Sequence, residues 1–316
     1  MSAKNNSSRQ KRYIFGPVPS RRLGLSLGVD IVPFKVCPLD CVYCQLGRTT
    51  TATIQRQEYV PINDVLEELK SRLSEGINPD YISLSGSGEP TLNISIAKLI
   101  SGIKKITKIP VAILTNGVLF NDPDVRRQCL EADVVLPSLD AADEKTFSKI
   151  NRPYPGISIE NVISGLEAFR KEFKNQVWLE IFIVESFNTS PEQLANIRSG
   201  IKRIKPDKVQ INTAVRPTAD INIEKVDYKR LKEIASQLGE NCEIVADYEY
   251  SRKGEHVSGN EEKILTTLSR RPCSLEDICA SLGLHRNEAE KYLAILIQGG
   301  LIEKSQKDGA VFFKVR

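Results

Sequence analysis

Three cysteines fall within eight residues of the segment VCPLDCVYCQLG, at positions 37, 41 and 44. Thiolates bind soft metals, and three on one short loop can hold one face of an iron–sulfur cube, with one iron each. A fourth iron would then lack a protein ligand and stay open to a small molecule. The segment therefore predicts a 4Fe–4S cluster with Cys37, Cys41 and Cys44 as its metal ligands.

Zinc binding, disulfide formation and a purely structural role fit the three cysteines less well. Zinc prefers four thiolate or imidazole ligands, but no fourth cysteine lies near, and the two histidines, His256 and His285, are far down the chain. Disulfides are disfavoured because three is an odd number and nothing in the sequence suggests secretion. Buried structural cysteines are a further alternative, although they do not usually share a loop that contains proline.

The composition is ordinary for a soluble protein, with 41% hydrophobic and 27% charged residues among 316. This length suits one large domain and a small one. No apolar run approaches the roughly 20 residues that a membrane helix needs. The start, MSAKNNSSRQKRY, lacks the apolar centre of a secretory signal. We therefore expect a cytoplasmic protein with no membrane partner, in a reducing compartment that suits free thiols.

The net charge of +4 is concentrated at the start of the chain. Six Lys and Arg residues precede Asp30, the first acidic residue, and the rest of the chain has 38 basic and 40 acidic residues. A basic arm can neutralise phosphates. For residues 1–13, however, the composition favours a solvated, disordered basic arm.

Apolar strand-like and amphipathic helical segments alternate along most of the chain. VAILTNG, DVVLPSLDA and VWLEIFIVE are typical of buried strands, and segments such as PINDVLEELKSRLSEG are typical of helices. About six strands alternate with helices in this way, which predicts a parallel sheet with helices outside. Right-handed crossovers close such a sheet toward a barrel. We therefore expect the α/β class, with a partial (β/α)6 TIM-like barrel over residues 14–249.

The predicted barrel begins irregularly, because Gly16, Pro17 and Pro19 interrupt regular structure. A strand is expected to follow at about residues 27–32, directly before the cysteine loop. In (β/α) barrels the chemistry lies on the loops that follow the strands. Polar and glycine-rich turns stand at those places after three later strands as well, at residues 86–90, 115–117 and 138–140.

The pattern changes after residue 249. The polar stretch at residues 250–258 contains a glycine and predicts a linker. Three helical segments and a strand pair around Lys307, Asp308 and Gly309 follow, which predicts a small winged-helix-like domain over residues 259–316. That domain has nine basic and eight acidic residues, a weak balance for a DNA reader. Its third helix carries Glu288 and Glu290, where a recognition helix prefers Arg, Asn or Gln.

The cysteine spacing, with Tyr43 before the last cysteine, resembles the radical S-adenosylmethionine (SAM) superfamily. That superfamily's hallmark is a three-then-two spacing with an aromatic residue at this place. GSGEP, residues 86–90, is similar to its Gly-Gly-Glu-Pro segment but has Ser87 between the two glycines. The resemblance implies a radical SAM barrel in which the backbone at Gly88 and the carboxylate of Glu89 receive the amino group of SAM.

Two later segments extend the resemblance. LTNG and SLDAADEKTFSKINRP look like segments after the third and fourth strands of the molybdenum-cofactor cyclase and related enzymes. In those enzymes a Thr and a Ser contact SAM, which implies such contacts for Thr115 and Ser138, with Asn116 and Asp140 as further candidates. Cap or turn roles explain Ser and Asp equally well. The expected SAM-binding set also includes Tyr43.

Three residues outside these segments are further candidates. Glu180 is polar within an apolar strand and is expected to point into the barrel. Asn212 and Arg216 stand at the end of the sixth strand. Arg216 is a candidate for holding a phosphate or carboxylate, and a surface ion pair explains it equally well.

The resemblance implies a 4Fe–4S cluster and SAM as cofactors, an anaerobic enzyme, and a ferredoxin or flavodoxin as electron donor. It implies reductive cleavage of SAM to methionine and a 5′-deoxyadenosyl radical, which abstracts hydrogen from a substrate. The segment FGPVPSRRLGLSLGVD resembles a subgroup placed with the tRNA wyosine-synthesis enzymes. Those enzymes carry extra upstream cysteines, whereas this chain has none before Cys37, so their activity is not expected here.

Three substrate hypotheses follow from the sequence. The first is modification of RNA, in particular tRNA, docked by the small domain or the basic arm. The second is modification of a protein or peptide that the small domain binds. The third, disfavoured by the weak basic charge, is a transcriptional regulator with the cluster as sensor. The other four cysteines are scattered and predict no auxiliary cluster: Cys129, Cys242, Cys273 and Cys279.

Overall fold

The computed structural model describes residues 13–215, 218–245, 259–270, 272–307 and 310–316. Strands alternate with helices through most of this range, as the sequence pattern predicts. The strands are β1 (Ile14–Ser20), β2 (Gly24–Val29), β3 (Val36–Cys37), β4 (Thr51–Ala52), β5 (Tyr81–Leu84), β6 (Val111–Thr115), β7 (Val134–Pro137), β8 (Gln176–Phe182), β9 (Lys208–Asn212), β10 (Cys242–Ile244), β11 (Cys273–Ser274), β12 (Ile302–Lys307) and β13 (Ala310–Val315).

The helices begin at residues that favour helix starts. Asp122, Asp143 and Ser158, for example, each accept a backbone N–H of the first helical turn. The helices are α1 (Ile62–Ser74), α2 (Ile96–Ile106), α3 (Pro123–Cys129), α4 (Glu144–Ile150), α5 (Ile159–Glu172), α6 (Glu185–Asn188), α7 (Pro191–Ile204), α8 (Tyr228–Leu238), α9 (Gly259–Arg270), α10 (Leu275–Leu282) and α11 (Arg286–Gln298). None of these described helices is long and apolar enough to cross a membrane.

Eight strands form one sheet in the order β1-β2-β5-β6-β7-β8-β9-β10. All neighbours pair in parallel except β1 and β2, which form an antiparallel hairpin. Arg22, in the hairpin turn, forms an ion pair with Glu180 in β8. Three strands separate β2 from β8, so the two side chains can meet only if the sheet is rolled. The α/β class with a parallel sheet is thus confirmed, and the roll is consistent with a partial barrel.

The first strand corrects the expectation of an irregular start. Residues Ile14–Ser20 form β1 despite Gly16 and Pro17. The pairing of β1 with β2 shifts register between Phe15 and Val18, which is where these two residues lie. Proline is tolerated here because β1 is an edge strand and its outer N–H groups need no ladder partner. The strand before the cysteines also starts earlier than expected.

The convex face of the sheet is buried under the helices. Leu27, Ile82 and Ile113 point to this side and join one apolar cluster with helix residues such as Leu69 and Leu99. Each of these side chains is fully buried, and burying a Leu or Ile stabilises a fold by about 1.5–3 kcal/mol. The helices thus fix the sheet from outside and leave its concave face for other groups.

The concave face carries both apolar and polar side chains. Leu23, Leu136 and Trp178 belong to an apolar cluster on this face. On β2 and β5 the inward side chains include Ser26 and Ser83, whose hydroxyls are hydrogen-bonded over 2.8 Å. Polar groups therefore share the concave face with an apolar patch.

The C-terminal segment forms a small unit with its own apolar cluster. Helices α9, α10 and α11 pack together, and Ile264, Tyr292 and Leu296 are among the buried residues. Three strands pair antiparallel in the order β11-β13-β12. The hairpin was expected from the sequence, whereas the third strand, β11, was not.

Several predicted segments lie outside the described residues. They are residues 1–12 of the predicted basic arm, residues 246–249 of the predicted barrel, the whole predicted linker at 250–258, Arg216, and Asp308 and Gly309 of the predicted strand pair. The elements of the large sheet run from Ile14 to Ile244, and the small unit begins with Gly259.

Two glycines on the outer helices offer a test of this packing. An added Cβ at Gly165 would lie 2.5 Å from the backbone nitrogen of Asn121, whereas at Gly102 it would meet only the flexible end of Leu66. We expect Gly165→Ala to lower the free energy of unfolding by about 1–3 kcal/mol, because backbone must shift. Gly102→Ala, the control, should be neutral or up to about 1 kcal/mol stabilising through helix propensity. Urea denaturation measures both, and equal stabilities of the two variants would contradict the packing described.

Candidate active site at the carboxyl ends of the strands

The cysteine loop follows β2 and lies over the end of helix α4. Val42 N donates to the carbonyl of Ile150 over 2.9 Å, and Tyr154 N donates to the carbonyl of Pro38 over 2.8 Å. These backbone bonds anchor the loop on both sides of Cys41. The loop is therefore held at the carboxyl-end edge of the sheet, where the sequence placed the chemistry.

Each cysteine sulfur accepts a hydrogen bond from nitrogen. Cys37 Sγ accepts from Asn116 Nδ2 at 3.5 Å, and Cys41 Sγ accepts from Asn151 Nδ2 at 3.4 Å. Lys35, itself buried, places Nζ 3.2 Å from Cys44 Sγ. Donors around the sulfurs stabilise thiolates and tune the potential of iron–sulfur clusters. This donor set fits an iron–sulfur cluster, because all three thiols have a nitrogen donor in place.

The spacing of the thiols also disfavours a mononuclear site. Within the described ranges, no group of three or more His, Cys, Asp or Glu residues is close enough to hold one metal ion. Thiolates that bind three different irons of one cluster need not converge on a point, whereas zinc ligands must. The zinc alternative therefore loses support.

Burial keeps two of the thiols protonated in the absence of a metal. It raises the pKa of Cys37 to about 12, with a smaller contribution from the Glu89 charge. It also raises the pKa of Cys41 well above its ordinary value, with Asp140 adding to the effect. Metal binding must therefore displace protons from these thiols.

The GSGEP turn is joined directly to the chain that leads into the cysteines. Glu89 N donates to the carbonyl of Val36 over 3.1 Å, and Lys35 N donates to the carbonyl of Ser87 over 2.7 Å. A Cβ at Gly88 would lie 2.1 Å from the same Val36 oxygen. Glycine is required at this position because the two backbones touch, so the turn and the cysteine loop form one unit.

The carboxylate of Glu89 is buried and strongly hydrogen-bonded. Oε1 accepts from the hydroxyls of Thr91 and Thr115, each at 2.6 Å, and from Thr91 N at 3.1 Å. Oε2 accepts from Asn116 N at 2.7 Å. Burial raises the pKa of Glu89, and these bonds oppose that rise. Since a carboxylate has about four accepting positions, Oε2 is the oxygen with capacity left for a ligand.

Asp140 forms a second buried carboxylate site across the loop. Its Oδ2 accepts from the Tyr43 hydroxyl and from Asn151 Nδ2, the latter at 2.7 Å, and its Oδ1 accepts from Phe182 N at 2.9 Å. Burial raises the pKa of Asp140 to about 6, against the effect of these bonds. The Tyr43 ring stacks on the Phe182 ring with 3.9 Å between centroids. Tyr43 and Asp140 thus tie the cysteine loop to the ends of β7 and β8.

Ser138, Glu180 and Asn212, the other predicted residues that the structure describes, lie on the concave face. Ser138 forms an isolated parallel bridge with Glu180. Glu180 points inward as expected, and its carboxylate pairs with Arg22 and accepts from Asn212 Nδ2 at 2.8 Å. Arg21 donates to Asn212 Oδ1 over 2.9 Å. A polar layer that carries charge therefore lies below the cysteine loop.

The comparisons with known proteins agree with this geometry. The model of the Radical SAM superfamily matches residues 31–196, which is more than half of the chain. A UPF0026 protein of Methanocaldococcus jannaschii is 33% identical over 309 residues, covering 95% of this chain and 94% of that protein.

The chain belongs to the UPF0026 family of the radical SAM superfamily. It is therefore a radical SAM enzyme, and membership implies a 4Fe–4S cluster and SAM as its cofactors. A UPF0026 protein of Helicobacter pylori is 32% identical over 288 residues, covering 90% of this chain and 91% of that protein. A Brachyspira hyodysenteriae protein named GTPase Obg is 36% identical over 315 residues, which is 99% of this chain but 46% of that protein.

Solved radical SAM structures share the fold at low sequence identity. Streptococcus suis SuiB superposes with a TM-score of 0.52 at 18% identity, covering 74% of this chain and 54% of SuiB. A radical SAM methyltransferase from Sphaerobacter thermophilus also gives 0.52, at 16% identity, covering 69% of this chain and 65% of that protein. Our chain thus spans about half the length of SuiB and of the Brachyspira protein, and these structural likenesses concern the fold alone.

Sequence reasoning missed several residues of this UPF0026 site. Asn151 joins Asp140 to Cys41, and its Oδ1 is buried without a hydrogen-bond partner in the part of the chain that the structure describes. It lies within the segment that resembles other radical SAM enzymes, but an asparagine after a helix reads as a cap. Lys35 gave no signal, because one lysine before a cysteine loop reads as a surface residue.

Loss of iron in cysteine variants tests the ligand set. We expect anaerobically reconstituted protein to hold about four irons per chain. Cys37→Ala, Cys41→Ala and Cys44→Ala should each fall well below that value, because each removes one thiolate of three. Cys242→Ser is the matched control, since Cys242 lies in β10 away from the loop. Iron analysis with the visible spectrum measures the outcome, and unchanged iron in any loop variant would remove that cysteine from the ligand set.

Proposed function

We propose that Cys37, Cys41 and Cys44 hold a 4Fe–4S cluster whose open iron binds SAM, with the GSGEP turn and the ends of β6 and β7 receiving the rest of the SAM molecule. The observation that carries the proposal is the bonding of the GSGEP backbone to residues 35 and 36, which lead into the first cysteine. These backbone bonds bring the proposed SAM-binding turn next to the cysteine loop. When bound, the reduced cluster supplies the electron that cleaves SAM to methionine and a 5′-deoxyadenosyl radical.

The chain's own residues bind and orient the SAM molecule. Glu89 Oε2 has accepting capacity beside the glycine backbone and suits the SAM ammonium, a charge-assisted bond. Thr115 and Asn116 hold that carboxylate in place. Asp140 holds the Tyr43 ring against Phe182, and Ser138 lies next to it on the concave face. Apolar side chains on the same face, among them Leu136 and Trp178, exclude water from part of the site.

The substrate is proposed to lie on the concave face against the polar layer of Glu180, Asn212 and Arg22. Hydrogen abstraction requires the substrate carbon to be near the radical, and this layer lies directly below the cysteine loop. We propose a ferredoxin or flavodoxin as the electron donor, and an anaerobic, cytoplasmic setting. We also propose that the rolled sheet is a partial (β/α)6 barrel and that residues 259–316 form a winged-helix domain.

RNA, in particular tRNA, is the first substrate class that we propose, because the start of the chain is basic and resembles the wyosine-synthesis subgroup. A protein or peptide substrate is the second candidate. It is favoured by the position of α11, because its first residue, Arg286, and its N-cap, His285, contact Phe34 and Asp30 in the segment that follows β2.

Formation of 5′-deoxyadenosine in a Glu89 variant tests the proposed reaction. Glu89→Gln should lower SAM cleavage with dithionite at least about tenfold. An amide N–H₂ in place of Oε2 would face two donors, Asn116 N and the SAM ammonium, and in place of Oε1 it would face the donor Thr91 N. Thr91→Val, which removes one of four bonds to the carboxylate, should lower it much less. Iron content should stay near the parent's in both. Parent-like cleavage by Glu89→Gln would leave Glu89 as a turn residue only.

Deuterium transfer distinguishes the two substrate classes. Total tRNA and a proteome grown on deuterated medium would be incubated separately with the enzyme, SAM and a reductant. We expect deuterium in 5′-deoxyadenosine only with the substrate-containing fraction, because the radical abstracts hydrogen from that substrate. Transfer from tRNA would establish the first class and transfer from protein the second, while transfer from neither would reject both.

A further inference from the structure

The first turn of α11 and its N-cap pack against the large sheet. The ring of His285, the N-cap, stacks on the ring of Phe15 in β1 with 4.8 Å between centroids. Gly16 N donates to the carboxylate of Glu288 over 3.4 Å. Glu288 also accepts from Asn260 in α9 over 3.0 Å. The helix that reads nucleic acid in winged-helix proteins is thus engaged with the rest of this chain at its N-terminal end.

This contact lies on the concave side of the sheet. Phe15 pairs with Gly28 across the hairpin, and a Cβ at Gly28 would lie 2.0 Å from the Phe15 ring. Because side chains alternate along a strand, Gly28 faces the same side as Ser26, whose hydroxyl bonds to the inward Ser83. The ring of Phe15 therefore covers the concave face at the β1 edge, and His285 covers that ring.

His285 reaches beyond Phe15 to the carboxylate of Asp30. Its Nδ1 accepts from Asn287 N at 3.2 Å, so the proton of the neutral ring is on Nε2. Nε2 lies 3.3 Å from Asp30 Oδ2. Asp30 is 7% exposed, and a buried carboxylate needs such partners.

The carboxylate of Asp30 is hydrogen-bonded to the GSGEP turn. Its Oδ1 accepts from Ser87 N at 3.0 Å, and its Oδ2 accepts from the Ser87 hydroxyl. A Cβ at Gly86 would lie 2.4 Å from the Asp30 carboxyl carbon, so the turn is wrapped closely around this side chain. The carbonyl of Ser87 accepts a hydrogen bond from Lys35 N, and this bond connects the GSGEP turn to the segment that leads into the cysteine loop.

This arrangement accounts for the one departure of GSGEP from the Gly-Gly-Glu-Pro pattern. A glycine in place of Ser87 would leave Asp30 with the amide but without the hydroxyl. Serine at position 87 therefore supplies the second hydrogen bond to the Asp30 carboxylate, through its hydroxyl. Ser87, Asp30 and His285 form one contact sequence from the proposed SAM site to the small unit.

We propose that His285 and Asp30 are positioning residues for the GSGEP turn, so that the C-terminal unit is a working part of the SAM site. The inference rests on the proposed role of that turn in binding SAM. A partner that takes the N-terminal end of α11 must release His285 and thereby loosen the turn. The C-terminal unit consequently couples its own contacts to SAM affinity.

Hydrogen exchange and SAM binding in the full-length, anaerobically reconstituted protein test this coupling. His285→Ala should raise exchange of the backbone amides at residues 86–89 about tenfold without SAM present. It should also raise the dissociation constant of SAM, measured by equilibrium dialysis, about tenfold, because the 3.3 Å contact of His285 Nε2 with the buried Asp30 carboxylate is lost. Ser87→Ala, which leaves the interface between the two units intact, should act in the same direction. The double variant should show less than the product of the two effects.

Arg286→Ala is the matched control. Its guanidinium lies 4.8 Å from the centre of the Phe34 ring at the same interface, and its ion pairs are with Glu276 and Glu290 rather than with Asp30. Exchange at residues 86–89 should stay within about twofold of the parent in this variant. Unchanged exchange in both His285→Ala and Ser87→Ala would overturn the inference, as would an equal effect of Arg286→Ala. The exchange experiment needs no SAM, so a parent protein that fails to bind SAM would refute the proposed function separately.

Discussion

Two buried carboxylates, Glu89 and Asp140, hold the carboxyl-end edge of the sheet together. Glu89 joins the turn after β5 to the end of β6 through Thr115 and Asn116. Asp140 joins the end of β7 to β8 and to the cysteine loop through Phe182 N, Tyr43 and Asn151. Removing the partners of a buried charge costs about 3–5 kcal/mol. Each carboxylate therefore fixes the strand ends around it, because any displacement breaks several charge-assisted bonds at once.

The same carboxylates create an electrostatic problem that a bound cluster would resolve. The Glu89 charge raises the pKa of Cys37, and the Asp140 charge raises that of Cys41, each after the larger effect of burial. Thiolate formation is thus disfavoured while the site holds protein groups alone. The compensating groups at the described site are the Lys35 ammonium near Cys44 and the amide donors of Asn116 and Asn151. A positively charged iron core would supply what these few donors do not, so that site and cofactor would stabilise each other.

The sequence predicted the parts of this structure that depend on local pattern. Asp122 caps α3 and Pro123 is its first residue, which follows the local preferences of these two residue types. The alternation of strand-like and helical segments predicted the α/β class. Strand β1 was not predicted, because Gly16 and Pro17 usually interrupt a strand. They are tolerated here because β1 lies at the edge of the sheet, and the order of strands in the sheet cannot be read from this segment alone. The cysteine loop was found because its ligands are adjacent in sequence. Arg22 with Glu180, separated by 158 residues, was not paired in advance, since only the roll of the sheet brings them together.

The C-terminal unit also shows that sequence pattern predicts local structure but not contacts between distant segments. Apolar periodicity predicted its helices. Glu288 was interpreted from its residue type alone, as unfavourable for binding nucleic acid. The structure gives this glutamate a different use, as an acceptor for Gly16 N and Asn260, and burial raises its pKa. A carboxyl group buried in this way favours contact with donors of the same chain over a phosphate backbone, which would repel it. The charge pattern of α11 is therefore explained by packing on β1, and a nucleic-acid substrate would have to dock on other surfaces.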